Sequence, residues 1–397
     1  MYTAQPASRT ASPAAPPFGA LLHAAGALGV LLLGAVLLTH SAQTAQGIRD
    51  GLASCASLVI PSLLPFLIFS GMLSTTSLGS LVARPLAPVC RWVFHLPPEA
   101  AGALLMSMTG GYPVGARTIA QLLEQGRIQP RTARRMLCFC INAGPAFVIS
   151  TVGAALYSST RAGLFLLAAH LGASVLVGFF TCTGRETFSP APAAESLPWS
   201  TAFVRSVTAA AQSLVGICAF VVTFSGVRSL LWETGLLPAL VTWLERLCPA
   251  PGGSAFYSAL LRGLLEVTDG CVAASSLGGE QAFVLTAFLL SFGGISVLCQ
   301  AAAAFPRLPM SFGLLLFSRL ANGCIAAALA SLFYRRFLAD LLAGAPLARP
   351  VAADGVSGVI GGLCLIGLAS IILLSVAING ISTKNTIRTG KTTGEMV

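Results

Sequence analysis

Long apolar runs recur from one end of the chain to the other, and they constrain its fold more than any other feature. Stretches of about 20 apolar residues are long enough to cross a bilayer as helices. Of the 397 residues, 55% are hydrophobic and 9% are charged, whereas soluble domains usually carry roughly 25% charged residues. We therefore expect an all-α, polytopic integral membrane protein that has the lipid bilayer as a partner.

The apolar runs predict about 8 transmembrane helices and two re-entrant hairpins. The predicted spans are residues 18–39, 51–73, 136–157, 162–183, 203–231, 282–303, 311–333 and 356–379. The predicted hairpins are residues 99–125 and 254–278, and the predicted interfacial segments are residues 78–97 and 235–250. Glycine, proline or charged residues interrupt both hairpins, and at membrane depth these residues are tolerated where the backbone is buried in protein or lines a cavity.

Internal similarity at an offset of about 150 to 156 residues divides the chain into two units. Arg49 and Gly71, for example, match Arg205 and Gly226. The predicted organisation is a disordered leader at 1–17, an N-terminal helix at 18–46, units at 47–200 and 201–350, and a C-terminal helix and polar tail at 351–397. Because each unit has an odd number of spans, the two should be inverted-topology repeats. Such repeats are typical of secondary transporters, although duplicated bundles also serve as scaffolds.

Charge predicts the orientation and excludes one class of partner. The net charge of +10 comes mostly from short loops, where basic residues are retained on the cytoplasmic side of a membrane. Nucleic acid is therefore not expected as a partner. Both termini are predicted to be cytoplasmic, in a bacterial inner (cytoplasmic) membrane. Arg335 and Arg336 fall on the opposite side in this arrangement and argue against it.

No catalytic or metal-binding signature occurs in the sequence. The 11 cysteines include no C-x-x-C pair, and the only lysines, Lys384 and Lys391, lie in the polar tail. The H-E-x-x-H, P-loop and G-x-S-x-G motifs are absent. We therefore do not expect an enzyme, a cofactor or a bound metal.

Two predicted spans carry helix breakers at matching places in the two units. Asn142, Gly144 and Pro145 interrupt the first, and Gly293 and Gly294 interrupt the second. An opened helix offers free carbonyls at one end and free N–H groups at the other, which suit a cation and an anion respectively. A packing kink would also explain either break, so the residues alone leave both interpretations open.

Charged residues at membrane depth cost about 2.5 to 3.5 kcal/mol on insertion scales, so they are usually functional or paired. Arg262 and Glu266 are four residues apart and could pair on one helix face. That pairing would leave Asp269, Arg117 and Arg319 without a nearby partner. Our hypothesis is that Arg117 or Arg319 holds a small anion together with helix N-termini near the breaks. Asp269 or Glu266 would then handle a coupling proton or balance an arginine.

The candidate site combines the breakers with these charged residues. The predicted substrate-binding residues are Gly110, Gly111, Tyr112, Pro113, Arg117, Asn142, Gly144, Pro145, Arg319 and Asn322. Glu266 and Asp269 are predicted to serve coupling or charge balance. His170 is interpreted as a hydrogen-bonded core residue rather than as a proton relay.

Three sequence runs carry a family resemblance: PSLLPF at 61–66, GGYPVGAR at 110–117 and NAGPAF at 142–147. With these runs the chain resembles the sporulation integral membrane proteins of the YlbJ/SpoVV type, over roughly residues 47–340. Those proteins belong to the nucleoside-recognition, or Gate, group, which is similar to the concentrative nucleoside transporters and to the membrane part of the ferrous iron transporter. The second unit lacks the asparagine-glycine-proline motif, so any site is expected to be asymmetric.

The resemblance implies transport of dipicolinate, a small aromatic dianion, across the outer forespore membrane during endospore formation. We find no cluster that matches the nucleoside-reading groups of the nucleoside transporters. Two alternatives stay open: a nucleoside or nucleobase transporter, and a non-transporting sporulation protein needed for spore envelope or cortex assembly. The sequence also leaves open the coupling ion and whether the chain forms a homo-oligomer.

Overall fold

The structure is a computed structural model. It describes residues 34–96, 100–181, 197–305 and 309–339, together with 27, 28 and 31. Every regular element in these ranges is helical, which confirms the predicted all-α class for this part of the chain. The predicted leader, most of the predicted first span, and the predicted last span with its tail lie outside the described residues.

From Ser41 onward, the first half of the described chain contains eight helices besides a 3-10 turn at Arg84–Leu86. They are α1 (Ser41–Thr75), α2 (Ser77–Ala83), α3 (Ala87–Trp92), α4 (Ala101–Thr109), α5 (Tyr112–Glu124), α6 (Pro130–Leu137), α7 (Phe147–Leu156) and α8 (Thr160–Phe180). Helix α1 widens to a π-helical turn at Cys55–Val59, and α7 is π-helical throughout.

The second half contains seven helices in the described ranges. They are α9 (Trp199–Glu233), α10 (Leu236–Leu247), α11 (Gly253–Leu265), α12 (Val267–Ser275), α13 (Gly279–Phe292), α14 (Gly294–Ala303) and α15 (Phe312–Leu338). The order of elements matches that of the first half: a long helix, short helices, a helical hairpin, an interrupted segment and a final long helix.

Five stretches in the described ranges are long and apolar enough to cross a membrane: α1, α8, α9, α13 with α14, and α15. The predicted span at 136–157 is interrupted, as its helix breakers indicated, but over a longer segment than the breakers themselves: α6 ends at Leu137 and residues 138–144 are not helical. Helix α7 that follows has only 10 residues. The predicted span 282–303 is likewise interrupted, at Gly293.

The two longest helices, α1 and α9, have 35 residues each and run antiparallel. Near one end Gly47 meets Ser229, and near the other Gly71 meets Ser206. A Cβ atom on Gly47 would lie 2.5 Å from the Ser229 Cβ atom, and one on Gly71 would lie 2.9 Å from the Ser206 Cβ atom. Small residues therefore let the two backbones approach closely, as is usual between transmembrane helices.

Helices α8 and α15 also pack against each other in antiparallel order. The Ser174 hydroxyl lies 3.5 Å from the Asn322 side chain, while the Phe165 and Phe333 rings lie 5.6 Å apart at the other end of the contact. Helix α13 packs on α15, where Gly323 lies against the Phe288 ring. The α13–α14 stretch is the most deeply buried of the five apolar stretches in the described ranges.

Two helical hairpins, α4–α5 and α11–α12, pack against these long helices. Their arms have 9 to 13 residues, which corresponds to about 14 to 20 Å of helix. The hydrocarbon core of a bilayer is about 30 Å thick, so no single arm can span it.

Candidate functional site

The first hairpin turns at two glycines. Gly111 has a left-handed backbone, with φ of 82°, which a residue with a side chain adopts only at a cost. Helix α5 begins directly after it with Tyr112 and Pro113, and no side chain caps this N-terminus. Proline suits this position because its missing N–H group would have no partner inside the helix. The turn therefore presents an uncapped helix N-terminus.

This turn lies directly on the non-helical segment of residues 138–144. A Cβ atom on Gly144 would lie 3.5 Å from the Gly111 Cα atom, and one on Gly115 would lie 2.0 Å from the Cys140 carbonyl oxygen. Glycine at these positions thus permits a backbone-to-backbone contact between the hairpin and the interrupted segment.

The second hairpin repeats this arrangement. Glu266 is extended, with φ of −143° and ψ of 123°, and it separates α11 from α12. Its carboxylate accepts hydrogen bonds from the Thr268 N–H at 3.0 Å and the Asp269 N–H at 2.8 Å, so it caps α12. Gly294, with φ of 77°, lies against this turn, because a Cβ atom there would lie 2.9 Å from the Gly263 carbonyl oxygen.

A cavity lies between the two hairpin turns, bounded by the long helices α1 and α9. It offers about 50 Å³ to the centres of water molecules. The predicted site residues that line it are Gly110, Gly111, Tyr112, Pro113, Gly144 and Glu266. Those that do not line it are Arg117, Asn142, Pro145, Asp269, Gly293, Gly294, Arg319 and Asn322. The structure thus gathers both hairpin turns around the cavity and leaves the predicted arginines outside its lining.

Helix N-termini converge on this cavity. Helix α5 begins at Tyr112 and α12 at Val267, and both residues line the cavity together with Gly144, which precedes a third helical start. Each N-terminus carries a partial positive charge. At α5, Pro113 has no N–H group and the N–H groups of Val114 and Gly115 donate to the Gly111 carbonyl, so those of Gly111 and Tyr112 are the ones without a backbone partner in the described chain. The Glu266 carboxylate occupies the N-terminus of α12, whereas that of α5 has no side-chain cap. The α5 end can therefore accept a negatively charged group.

Arg319 lies elsewhere, at the C-terminal end of α13. Its side chain is fully buried and donates to the carbonyl of Ser291 and, at 3.5 Å, to that of Phe292. The Tyr112 hydroxyl donates to the preceding carbonyl, of Leu290, at 2.6 Å. Side chains from both halves therefore satisfy carbonyls that the break at Gly293 leaves without helical partners.

Asn142 and Asn322 satisfy the backbone of the first interruption. The Asn142 amide donates to the Phe139 carbonyl at 3.0 Å and accepts from the Ser174 hydroxyl at 2.6 Å. The Asn322 amide, from α15, donates to the Cys138 carbonyl at 2.9 Å. Both asparagines are fully buried, so their hydrogen bonds replace those that a continuous helix would have made.

His170 joins the two interruptions. Its Nε2 atom accepts from the Ala143 N–H at 2.9 Å, and its Nδ1 atom lies 2.7 Å from the Ser291 hydroxyl. Because Nε2 is an acceptor here, we assign the proton to Nδ1. Sequence reasoning treated His170 as a hydrogen-bonded core residue, and the structure adds that its two partners belong to different halves of the chain.

The charged residues pair differently from the prediction. Asp269 binds Arg262 through two hydrogen bonds, at 2.8 and 2.5 Å, and lies 3.1 Å from the Arg228 guanidinium. The pairing of Arg262 with Glu266 that helical spacing allowed does not form, because α11 ends at Leu265 and Glu266 caps the next helix. The expectation that Asp269 lacks a nearby partner was wrong.

Two further polar side chains bear on the site. Arg117 donates to the Ser213 hydroxyl of α9 at 2.6 Å, so it ties the first hairpin to a long helix. Gln300, on α14, lines the cavity and donates to the Ser296 hydroxyl at 3.3 Å. Sequence reasoning missed Gln300, although an amide in an apolar run shortly after a helix break was a usable signal.

Comparison with known proteins finds two similarities in sequence. Residues 56–184, which run from α1 to the segment after α8, match the Gate family, described as nucleoside recognition. The chain is 26% identical over 332 residues to sporulation integral membrane protein YlbJ of Bacillus subtilis (strain 168), a match that covers 77% of this chain and 81% of that protein. No solved structure matches the chain significantly. The chain is thus an integral membrane protein that carries a Gate match in its first half and is similar over most of its length to a sporulation integral membrane protein.

Proposed function

We propose that this protein is a secondary transporter of a small organic anion, with its site in the cavity between the two hairpin turns. The observation that carries the proposal is the uncapped N-terminus of α5, whose first residues Tyr112 and Pro113 line that cavity. Helix N-termini bind anions through free N–H groups and the helix dipole. The name of the Bacillus subtilis relative supports a role in sporulation, with dipicolinate as the candidate substrate.

Alternating access is supported by the packing of matching elements. The long helices α1 and α9 occupy the same place in the two halves and run antiparallel, and so do α8 and α15. Antiparallel packing of equivalent helices is the geometry expected of inverted repeats. Such repeats give transporters two states of similar energy, one open to each side of the membrane.

The cavity lining favours an aromatic anion over a strongly hydrated one. Val59, Leu63 and Phe147 contribute apolar surface, which can contact an aromatic ring. None of the described residues that line the cavity is basic, so the negative charge would be held by backbone N–H groups. The Glu266 carboxylate also lines the cavity, but it accepts the N–H groups of Thr268 and Asp269 at the start of α12. A space of about 50 Å³ holds a few water molecules, and we therefore interpret the structure as a closed state that must open to admit substrate.

Uptake of labelled dipicolinate and labelled uridine into proteoliposomes tests the proposal. We expect saturable uptake of dipicolinate, and we expect Gln300→Glu to abolish it because the new carboxylate would face a dianion across the cavity. Gln121→Glu is the matched control: Gln121 lies on α5 with an exposed side chain and does not line the cavity, so uptake should persist.

Two results would replace the proposal. Saturable uptake of uridine without uptake of dipicolinate would identify a nucleoside transporter, for which the Gln300 amide offers both a donor and an acceptor. No uptake of either compound by folded protein would favour a non-transporting role in spore envelope or cortex assembly.

A further inference from the structure

The break between α13 and α14 has the geometry of a cation site. Discontinuous transmembrane helices commonly hold a coupling Na⁺ at the carbonyls of a half-helix C-terminus. Here α13 ends at Phe292, and Gly293 and Gly294 both have left-handed backbones, with φ of 87° and 77°. The last carbonyls of α13 consequently have no partners further along a continuous helix, and they carry the partial negative charge of the helix end.

A guanidinium already occupies this position. Arg319 reaches across from α15 and donates to the carbonyls of Ser291 and Phe292. Its side chain has no exposed surface, and its Nη1 atom has no hydrogen-bond partner among the described residues. The charge is therefore removed from water and held by backbone dipoles.

No carboxylate of the described chain forms an ion pair with Arg319. The two acidic residues nearest in the fold to the breaks are engaged elsewhere: Glu266 caps α12 and Asp269 binds Arg262. A buried charge without a counter-ion is costly, so the helix C-terminus must supply most of the compensation. Arg319 thus needs the carbonyls at the break to compensate its charge, and these carbonyls need Arg319 as a hydrogen-bond donor.

The first interruption is stabilised by a neutral group instead. His170 occupies on α8 the place that Arg319 occupies on α15, and it accepts the Ala143 N–H rather than donating to carbonyls. The two halves therefore place different polar groups at equivalent positions of α8 and α15, and of these two side chains only Arg319 carries a fixed positive charge. This asymmetry indicates that the charge serves the α13 terminus specifically.

We propose that Arg319 is a built-in cation that takes the place of a coupling Na⁺ at the break between α13 and α14. This inference rests on the proposed transport function and refines it: the cycle runs without Na⁺ at this break. Arg319 acts as a positioning residue, which holds the end of α13 in place, and it does not line the substrate cavity.

The experiment compares melting of the full-length protein in NaCl and in choline chloride at equal concentration. Unfolding is followed by a dye that reacts with thiols as buried cysteines such as Cys140 and Cys271 become accessible. We expect the unaltered protein to melt at the same temperature in both salts. Arg319→Ala should melt at a lower temperature, and low millimolar methylguanidinium should raise that temperature while tetramethylammonium should not.

Two further variants complete the design. Arg335→Ala is the matched control, because Arg335 also lies on α15 but is 72% exposed and pairs with Glu280; its melting temperature should not respond to methylguanidinium. Arg319→Lys keeps the charge, so Na⁺ should not change its melting temperature. That temperature should lie between those of Arg319→Ala and the unaltered protein. If Arg319→Ala does not fold, the melting temperatures of the unaltered protein and of Arg319→Lys in the two salts still show whether Na⁺ binds at the break.

Three results would overturn the inference: specific stabilisation of the unaltered protein by Na⁺, melting of Arg319→Ala at the unaltered temperature, or no rescue of that variant by methylguanidinium. Uptake separates this inference from the proposed function. Dipicolinate uptake that requires Na⁺ would refute the built-in cation and leave the transporter. Absence of uptake in any salt would refute the transporter, and the melting data would then decide the role of Arg319 on their own.

Discussion

Replacing Gly294 with alanine should destabilise the protein strongly, because the substitution adds both backbone strain and a steric clash at this position. The residue has a left-handed backbone, with φ of 77°, which costs a residue with a Cβ atom about 1 to 2 kcal/mol. The new Cβ atom would also lie 2.9 Å from the Gly263 carbonyl oxygen and 3.2 Å from that of Leu265. Both atoms belong to the backbone of the second hairpin, so they cannot move as a flexible side chain would.

The magnitude follows from adding the two costs. Overpacking against atoms that cannot yield typically costs about 1 to 3 kcal/mol, and alanine recovers about 0.4 to 1 kcal/mol by restricting the unfolded chain. We therefore expect Gly294→Ala to lower the free energy of unfolding by about 1 to 5 kcal/mol.

Two glycines allow the costs to be measured separately. Gly126 has φ of 65° but open space around its Cβ direction, so Gly126→Ala should show only the backbone cost, about 1 kcal/mol after the same correction. Gly102 lies in α4 with an ordinary backbone and open space, so Gly102→Ala should be neutral or stabilising by up to about 1 kcal/mol.

Unfolding of the three variants can be compared by titration with sodium dodecyl sulfate in mixed micelles, with thiol accessibility as the signal. The reasoning would be refuted if Gly294→Ala lost no more stability than Gly126→Ala. That result would mean that the second hairpin does not contact the break between α13 and α14 as the structure has it.

Two other side chains give further predictions. Tyr112→Phe removes the donor to the Leu290 carbonyl. It should lower the free energy of unfolding by about 1 to 3 kcal/mol in the same titration, because the carbonyl stays buried. An unchanged midpoint would show that the hydrogen bond does not stabilise the break. Asp269→Asn leaves Arg262 and Arg228 without their shared carboxylate and should cost about 1 to 3 kcal/mol, with the loss shrinking in high salt if solvent screens the pair. An unchanged free energy of unfolding in Asp269→Asn at every salt concentration would contradict the ionic role.

The breaks were predictable from sequence because glycine and proline weaken helices wherever they occur. The GGYP run at 110–113 and the pair Gly293 and Gly294 stand where the structure has helix ends. In the predicted span at 136–157 the asparagine-glycine-proline run also marks a break, but the segment that opens is longer than one kink. Apolar periodicity alone does not show how far a helix unwinds once tertiary partners can satisfy its backbone.

The pairing of charges was not predictable in the same way. Arg262 and Glu266 have helical spacing, but Glu266 leaves the helix and caps the next one, so Arg262 turns to Asp269 instead. Arg319 was identified as unusual because of its depth in a span. Its partners at Ser291 and Phe292 depend on how α15 packs on α13, which spacing along the chain does not encode.

The most direct test of the central claim is whether dipicolinate occupies the cavity between the hairpin turns. A cysteine at Leu63, which lines the cavity from α1, can be labelled with a small water-soluble thiol reagent after the accessible native cysteines have been replaced by serine. A cysteine at Gln121, exposed and outside the cavity, serves as the reference. We predict that dipicolinate slows labelling at position 63 and leaves position 121 unchanged, whereas equal labelling of folded protein with and without dipicolinate would contradict the proposed site.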